Sequence, residues 1–218
     1  ITVVSSGAGF SYGQLGISHF ATEDLAIMRA LPDITVIAPA GEWEVVRATK
    51  AIYSHPGTCF LRIDKSMGDD KSIRNNEDFT IGKGRLLCDG NDCTIISTGG
   101  ILEEALLARS ILIKEGISTR IISMHSIKPL DEKIILDSLK DTKFLITLEE
   151  HSIFGGLGGA VSEVIAENDI DYKKFKRVGL NKGFSSIVGD QKYLRKEYDI
   201  DSISIAKIIK ELITKNNT

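Results

Sequence analysis

The 218-residue sequence predicts an α/β protein with two domains of mostly parallel sheet flanked by helices. β-Branched runs at 1–5 and 34–38 enclose a helical segment at 22–31, the strand–helix–strand order of a parallel sheet. The same alternation resumes beyond residue 100. Between the two blocks, residues 64–78 (DKSMGDDKSIRNNED) are polar and charged and show neither the helical nor the strand period, which is a linker's composition. The expected division is a first unit at 1–66, a linker at 67–78 and a second unit at 79–218.

In the first unit, Thr22 is the expected N-cap of the 22–31 helix, Glu23 and Asp24 place negative charge at its positive end, and Pro32 stops it. Val45, Ala48, Thr49 and Ile52 follow helical spacing up to His55-Pro56-Gly57, before a strand at Thr58–Ile63. The turn Asp89-Gly90-Asn91-Asp92 between two apolar runs predicts a hairpin. A helix at 101–114, a strand at 119–124, a helix at 130–139 and a strand at 144–148 follow. The chain closes with a glycine-rich turn, a helix to about 166, a strand at 175–180 and an amphipathic helix carrying Ile205, Ile208, Ile209 and Leu212.

With 42% hydrophobic residues the chain can bury a substantial core. A net charge of −3 without a Lys/Arg cluster argues against nucleic acid or an anionic membrane as partner, and no apolar run approaches the roughly 20 residues that span a bilayer. Three cysteines without paired spacing (Cys59, Cys88, Cys93) predict free thiols in a reducing, cytoplasmic setting. Because the chain opens inside an apparent strand (Ile1-Thr2-Val3-Val4) and without Met, its start is expected to lie further upstream.

The chemistry-bearing stretch is 12–32. Gly7, Gly9, Gly13 and Gly16 shape a loop that delivers Ser18 and His19 to the start of a helix, at the edge where α/β sheets place ligands. Arg29 and Arg62 are the further candidates, Arg62 being either an ordinary boundary charge or a bidentate anion ligand. Bland readings prevail elsewhere. The glycines at 155–159 have the wrong spacing for a dinucleotide loop and predict close packing of helix on strand. Thr98-Gly99-Gly100 before a helix fits either an anion held on free backbone N–H groups or generic turn chemistry, and Asp69, Asp70 and the 89–92 cluster read as solvated turns. His55, His125 and His151 each follow or precede a strand end, with His151 the strongest of the three.

The segment SHFATEDLAIMRALPD (18–33) resembles the T-H-x-x-x-E-D-x-x-x-x-R-x-x-P-N segment of the transketolase family, and Thr35-Val36-Ile37-Ala38-Pro39-Ala40 resembles its TVLVPAD. Ile81-Gly82-Lys83-Gly84-Arg85, Ile127-Lys128-Pro129-Leu130-Asp131 and Leu148-Glu149-Glu150 with Gly155-Gly156-Leu157-Gly158 are similar to that family's C-terminal domain. The likeness covers nearly the whole chain, in order, and is nearest to stand-alone C-terminal transketolase subunits and 1-deoxyxylulose-5-phosphate synthases.

This resemblance implies the latter half of a thiamine diphosphate (ThDP) pyrimidine-binding domain at 1–66 and a transketolase C-terminal-like domain at 79–218. It implies ketol transfer between sugar phosphates, with the cofactor supplying the electron sink. ThDP and Mg²⁺ would be held largely by an N-terminal partner carrying G-D-G…N, which is absent here, as is the family's catalytic glutamate, expected upstream. His19 would be the catalytic residue, with Ser18, Leu15, Arg29 and Arg62 on substrate. The expected assembly is a dimer or heterotetramer. Leu15 stands where transketolases carry the Asp of Asp-Gly-Pro-Thr-His, and a further family histidine, which would fall near Gly7, is missing, which points to a modified or deoxy sugar. The rival readings are a non-catalytic assembly module and a beta subunit of a 2-oxo acid dehydrogenase.

Overall fold

The computed structural model describes residues 1–65, 78–168, 170, 175–181 and 183–216. In the first sheet β1 (Thr2–Ser6), β3 (Thr58–Ile63) and β2 (Ile34–Ile37) lie side by side and parallel, with α1 (Asp24–Ala30) and α2 (Gly41–Tyr53) as crossovers. β2 is buried throughout, while β1 is the edge strand and leaves Val3 and Val4 exposed.

The second sheet has the order β4 (Arg85–Cys88), β6 (Thr119–Ser123), β5 (Cys93–Thr98), β8 (Phe144–Ser152), β9 (Phe175–Leu180), with only β4 antiparallel. α3 (Leu102–Ile113), α4 (Glu132–Asp141), α5 (Leu157–Glu167) and α7 (Ser202–Asn216) accompany it. β5 is buried at every residue and β8 at all but its last, as expected for strands covered on both faces. The α/β class and nearly all elements stand where the sequence puts them. The polar 64–78 stretch falls mostly outside the described residues, as do Asp69 and Asp70.

Two local expectations fail. β4 and β5 form no hairpin, because β6 lies between them. Gly90 shows why: a Cβ there would overlap the backbone of Thr119 and Arg120. The Asp92 carboxylate accepts the Ser118 N–H at 2.8 Å and the Asp89 carboxylate holds Arg120 at 2.9 Å. The turn is thus anchored across the start of β6. Thr22 does not cap α1, since Glu23 occupies the N-cap position and the Thr22 hydroxyl donates to its carboxylate at 2.8 Å.

The sheets meet at their carboxyl ends. Gly99 N–H donates to the Ala38 carbonyl at 3.1 Å, and Ala38 N–H to the His125 carbonyl at 2.8 Å. The Gly99 N–H is therefore committed to the fold, in keeping with turn chemistry at 98–100. A short strand that sequence patterning missed, β7 (Ser126–Lys128), leaves the second block and pairs antiparallel with β2. Val36 and Phe60 of the first sheet share one apolar core with Ile96, Ile122 and Met124 from the second block.

The glycines at 155–159 serve packing, as expected, with one addition. The buried Glu149 carboxylate accepts the N–H groups of Leu157 at 2.8 Å and Gly158 at 2.7 Å, so a negative charge sits on the positive end of α5. A Cβ on Gly156 would overlap that carboxylate and the His151 ring. Gly156→Ala is expected to cost about 1–3 kcal/mol in urea denaturation; unchanged stability would show that this corner yields freely.

Candidate functional site

Residues 7–22 leave the carboxyl end of β1 and lie between the two sheets. Gly7 and Ala8 both donate to the Ile63 carbonyl, at 2.9 and 3.1 Å, and Gly9 and Ala21 exchange backbone hydrogen bonds at 2.9 and 3.1 Å. Phe10 plugs the loop base: it is fully buried, its ring 5.0 Å from Phe20 edge-on and 5.4 Å from Tyr198 in a stack. Its N–H donates to Glu150 Oε1 at 2.6 Å, and a Cβ on Gly9 would overlap the Glu150 side chain. The base is therefore locked.

The tip is open. Two short 3-10 turns, Gly13–Leu15 and Ile17–His19, are joined by Gly16 at φ +76°, a left-handed value that favours glycine. Leu15 is 58% exposed and Ile17 50%. Ser18 and His19 are exposed as well, with Ser18 Oγ 3.0 Å from His19 Nδ1. This contact engages one ring nitrogen and leaves Nε2 without a protein partner among the described residues.

The two arginines expected on substrate both have protein partners. Arg62 is 2% exposed; its Nε donates to Asp24 at 2.8 Å and a terminal nitrogen to the carbonyls of Ala21 at 2.8 Å and Glu150 at 3.2 Å. It ties β3, the end of the loop and β8 together. Arg29 donates to the Gly155 carbonyl at 2.9 Å and pairs with Glu163. Both guanidinium groups are engaged by the protein. The geometry brings Leu15, Ser18 and His19 together on the loop tip, while Arg29 and Arg62 are bonded to the Gly155 carbonyl and Glu163 and to Asp24, Ala21 and Glu150.

Of the other histidines, His125 and His151 are internal and His55 is half-buried. His151 is fully buried; its Nδ1 lies 2.7 Å from the Ser152 carbonyl, to which it donates, so Nε2 is the acceptor for the Ala26 N–H at 3.4 Å. His55 contacts the Thr35 hydroxyl at 3.0 Å. His125 is fully buried, stacks on Phe79 with centroids 4.0 Å apart, and neither ring nitrogen has a partner among the described residues. Burial first, then the nearby Arg85 charge, pushes its pKa down to about 3.

The unfolded chain takes up this proton below about pH 6.5 while the folded one refuses it until about pH 3, so stability is full above that window and falls as pH drops through it. His125→Phe should flatten the acid limb of stability by up to about 1.4 kcal/mol per pH unit. Identical pH profiles of Tm for variant and parent would count against a neutral buried imidazole.

Beside the tip, an open cleft of about 520 Å³ is lined by Tyr12, Gln14, Leu15, Lys65, Asp190 and Gln191. Asp190 and Gln191 open α6 (Gln191–Glu197), a helix missed in the sequence although Asp190 is an ordinary N-cap, its carboxylate accepting the Tyr193 N–H at 2.8 Å. Gln191 Nε2 donates to Asp64 at 3.1 Å and to Glu150 at 2.8 Å, and Glu150 pairs with Arg195. Burial pushes the Glu150 carboxyl up, Arg195 opposes the rise and Asp64 adds to it.

Among the described residues no three His, Cys, Asp or Glu side chains group to hold a metal ion, and no helix is long and apolar enough to cross a membrane. Glu149 accepts two backbone N–H groups, and Glu150 is held by the Phe10 N–H and Arg195.

Parallel strands ending on a glycine-shaped loop, faced by the carboxyl edge of a second sheet, define an α/β protein of two sheets. Residues 82–205 match the family described as transketolase, C-terminal domain, and the chain belongs to that family. It is 44% identical over 218 residues to a putative transketolase C-terminal section of Methanocaldococcus jannaschii, covering 99% of this chain and 67% of that one. It is 33% identical to a 6-deoxy-6-sulfo-D-fructose transketolase subunit of a Clostridium species, covering 100% of this chain and 66% of the relative. A solved split-gene transketolase, described as an inactive beta4 tetramer, superposes with a TM-score of 0.85 at 31% identity, over 98% of this chain and 67% of that one. The chain thus spans about two thirds of the length of these relatives.

Proposed function

We propose that this chain is the substrate-facing part of a C-terminal transketolase subunit that moves a two-carbon ketol unit from a ketose to an aldose, with ThDP and Mg²⁺ held by an N-terminal partner. The observation that carries this reading is the loop tip: an exposed Ser18–His19 pair on a base fixed by Phe10, Gly9 and Glu150. On this reading residues 1–66 belong to the pyrimidine-binding unit, residues 79–218 are the C-terminal domain, and subunits associate as a dimer or heterotetramer.

The chain's own residues position substrate and move protons. His19 orients a sugar hydroxyl and shuttles its proton through the ring nitrogen that Ser18 leaves open. Leu15 presents an apolar, exposed surface to the sugar carbon beside it, which favours a deoxy or otherwise modified sugar over one with a hydroxyl there. Relatives described as acting on 6-deoxy-6-sulfo-D-fructose and on apulose 4-phosphate support that class of substrate. Arg29 and Arg62 hold the frame in which the tip is presented.

The test is reconstitution of the longer polypeptide with its ThDP-binding partner. Ketol transfer that requires both proteins, ThDP and Mg²⁺ is the expected result. A complex that binds ThDP and transfers nothing to any aldose would leave a non-catalytic assembly module as the better account.

A further inference from the structure

The loop that carries Ser18 and His19 is anchored on two carboxylates. Phe10 N–H donates to Glu150 Oε1 at 2.6 Å, and the Ser11 hydroxyl lies 2.9 Å from Asp64 Oδ1. Gln191, far along the chain, joins these anchors: its Nε2 donates to Glu150 Oε1 at 2.8 Å and to Asp64 Oδ1 at 3.1 Å. Both neighbours are acceptors, so the amide must turn its NH2 end toward them, and that nitrogen has a hydrogen for each.

Like charges sharing one amide would part without it. Arg195 pairs with Glu150 on its other oxygen, and Gln191 supplies donors where the two carboxylates converge, without adding charge. Its own place is fixed by its helix. Gln191 is the first residue of α6, Asp190 caps that helix, and Gly189 N–H donates to the Gly13 carbonyl at 3.3 Å. A Cβ on Gly13 would overlap the Gly189 carbonyl and the Leu194 side chain. The corner at 189–194 therefore holds residues 10 and 11 through Gln191 and residue 13 directly.

We propose that Gln191 is a positioning residue: by bridging Glu150 and Asp64 it fixes residues 10–13, and through them the place of the Ser18–His19 pair. This rests on the functional reading above, in which that pair serves the reaction, and extends it to a residue that reading leaves unused. The sequence gives no sign of the role, since the partners of Gln191 lie 127 and 41 residues away.

The test pairs amide hydrogen exchange of the longer polypeptide with turnover of its ThDP-loaded complex, in parental, Gln191→Met and Gln191→Glu forms. Met keeps the length and removes both donors; Glu keeps the shape, removes them and adds a third carboxylate beside two. In Gln191→Met the hydrogen-bonded amides of Phe10, Ser11, Gly13 and Leu15 should exchange about tenfold faster, with those of β5 unchanged. At equal ThDP occupancy kcat should fall about 10–10²-fold with KM within about twofold, and Gln191→Glu should be at least as impaired. Parental exchange in the loop would overturn the proposal. So would a Gln191→Glu form as active as the parent, which would make Gln191 a filler of space, or a defect confined to KM, the mark of a direct substrate contact. A loosened loop with full turnover in both Gln191→Met and His19→Ala forms would sink the functional reading and leave the lock standing. A His19→Ala defect beside parental kcat in Gln191→Met would do the reverse.

Discussion

Arg62→Ala lowers stability by about 3–5 kcal/mol, a fall in Tm of roughly 6–20 °C for a chain of this size. The guanidinium is 2% exposed and satisfies the Asp24 carboxylate and the Ala21 and Glu150 carbonyls. Its removal strands the Asp24 carboxylate and takes a donor from the Glu150 carbonyl, while the Ala21 carbonyl keeps the Gly9 N–H, and stranded partners cost more than the lost contact. The Asp24→Ala, Arg62→Ala double variant should recover part of the loss, because the carboxylate is no longer stranded. Lysine should not rescue, since one ammonium cannot reproduce the spread of a guanidinium over a side chain and two carbonyls. Near-parental stability of Arg62→Ala, with a raised KM for phosphorylated sugars, would restore the phosphate-binding role that the sequence suggests.

His19→Ala has the opposite profile. Its side chain is exposed and hydrogen-bonds only Ser18 among the described residues, so unfolding should shift by no more than about 0.5 kcal/mol. Turnover of the assembled enzyme should fall by about 10²–10⁴-fold, the usual worth of a positioned proton-transfer group. A large loss of Tm with unchanged specific activity would make His19 a structural residue.

The contrast between these two residues shows what the sequence disclosed and what it hid. Frequent glycines before Ser18-His19 announced a shaped loop, because positive φ and close approach leave a compositional trace, and Gly9 against Glu150 and Gly16 at φ +76° are what that trace meant. Alternation of β-branched runs with helical periods located nearly every strand and helix for the same local reason.

Arg62 was ambiguous because its partners lie 38, 41 and 88 residues away, and nothing near it in sequence says whether a strand-end arginine faces ligand or carboxylate. The hairpin expectation failed through the same blindness to distance. A turn signal at 89–92 fixes a reversal, but the identity of the neighbouring strand was set by Thr119 and Arg120 closing on Gly90. β7, only Ser126–Lys128, was too short to show a period. The cleft was hidden because its walls come from residues 12–15 and 190–191.

The most direct test of the account follows the fate of carbon. A ketose labelled with ¹³C at C1 and C2 is given, with an unlabelled aldose, to the assembled complex of full-length chain, ThDP-binding partner, ThDP and Mg²⁺, in parental and His19→Ala forms at equal ThDP occupancy. The account predicts that both labelled carbons appear together in the lengthened aldose, about 10²-fold or more slowly in the variant. Label confined to the donor in a ThDP-loaded complex, or equal transfer rates in both forms, would contradict it.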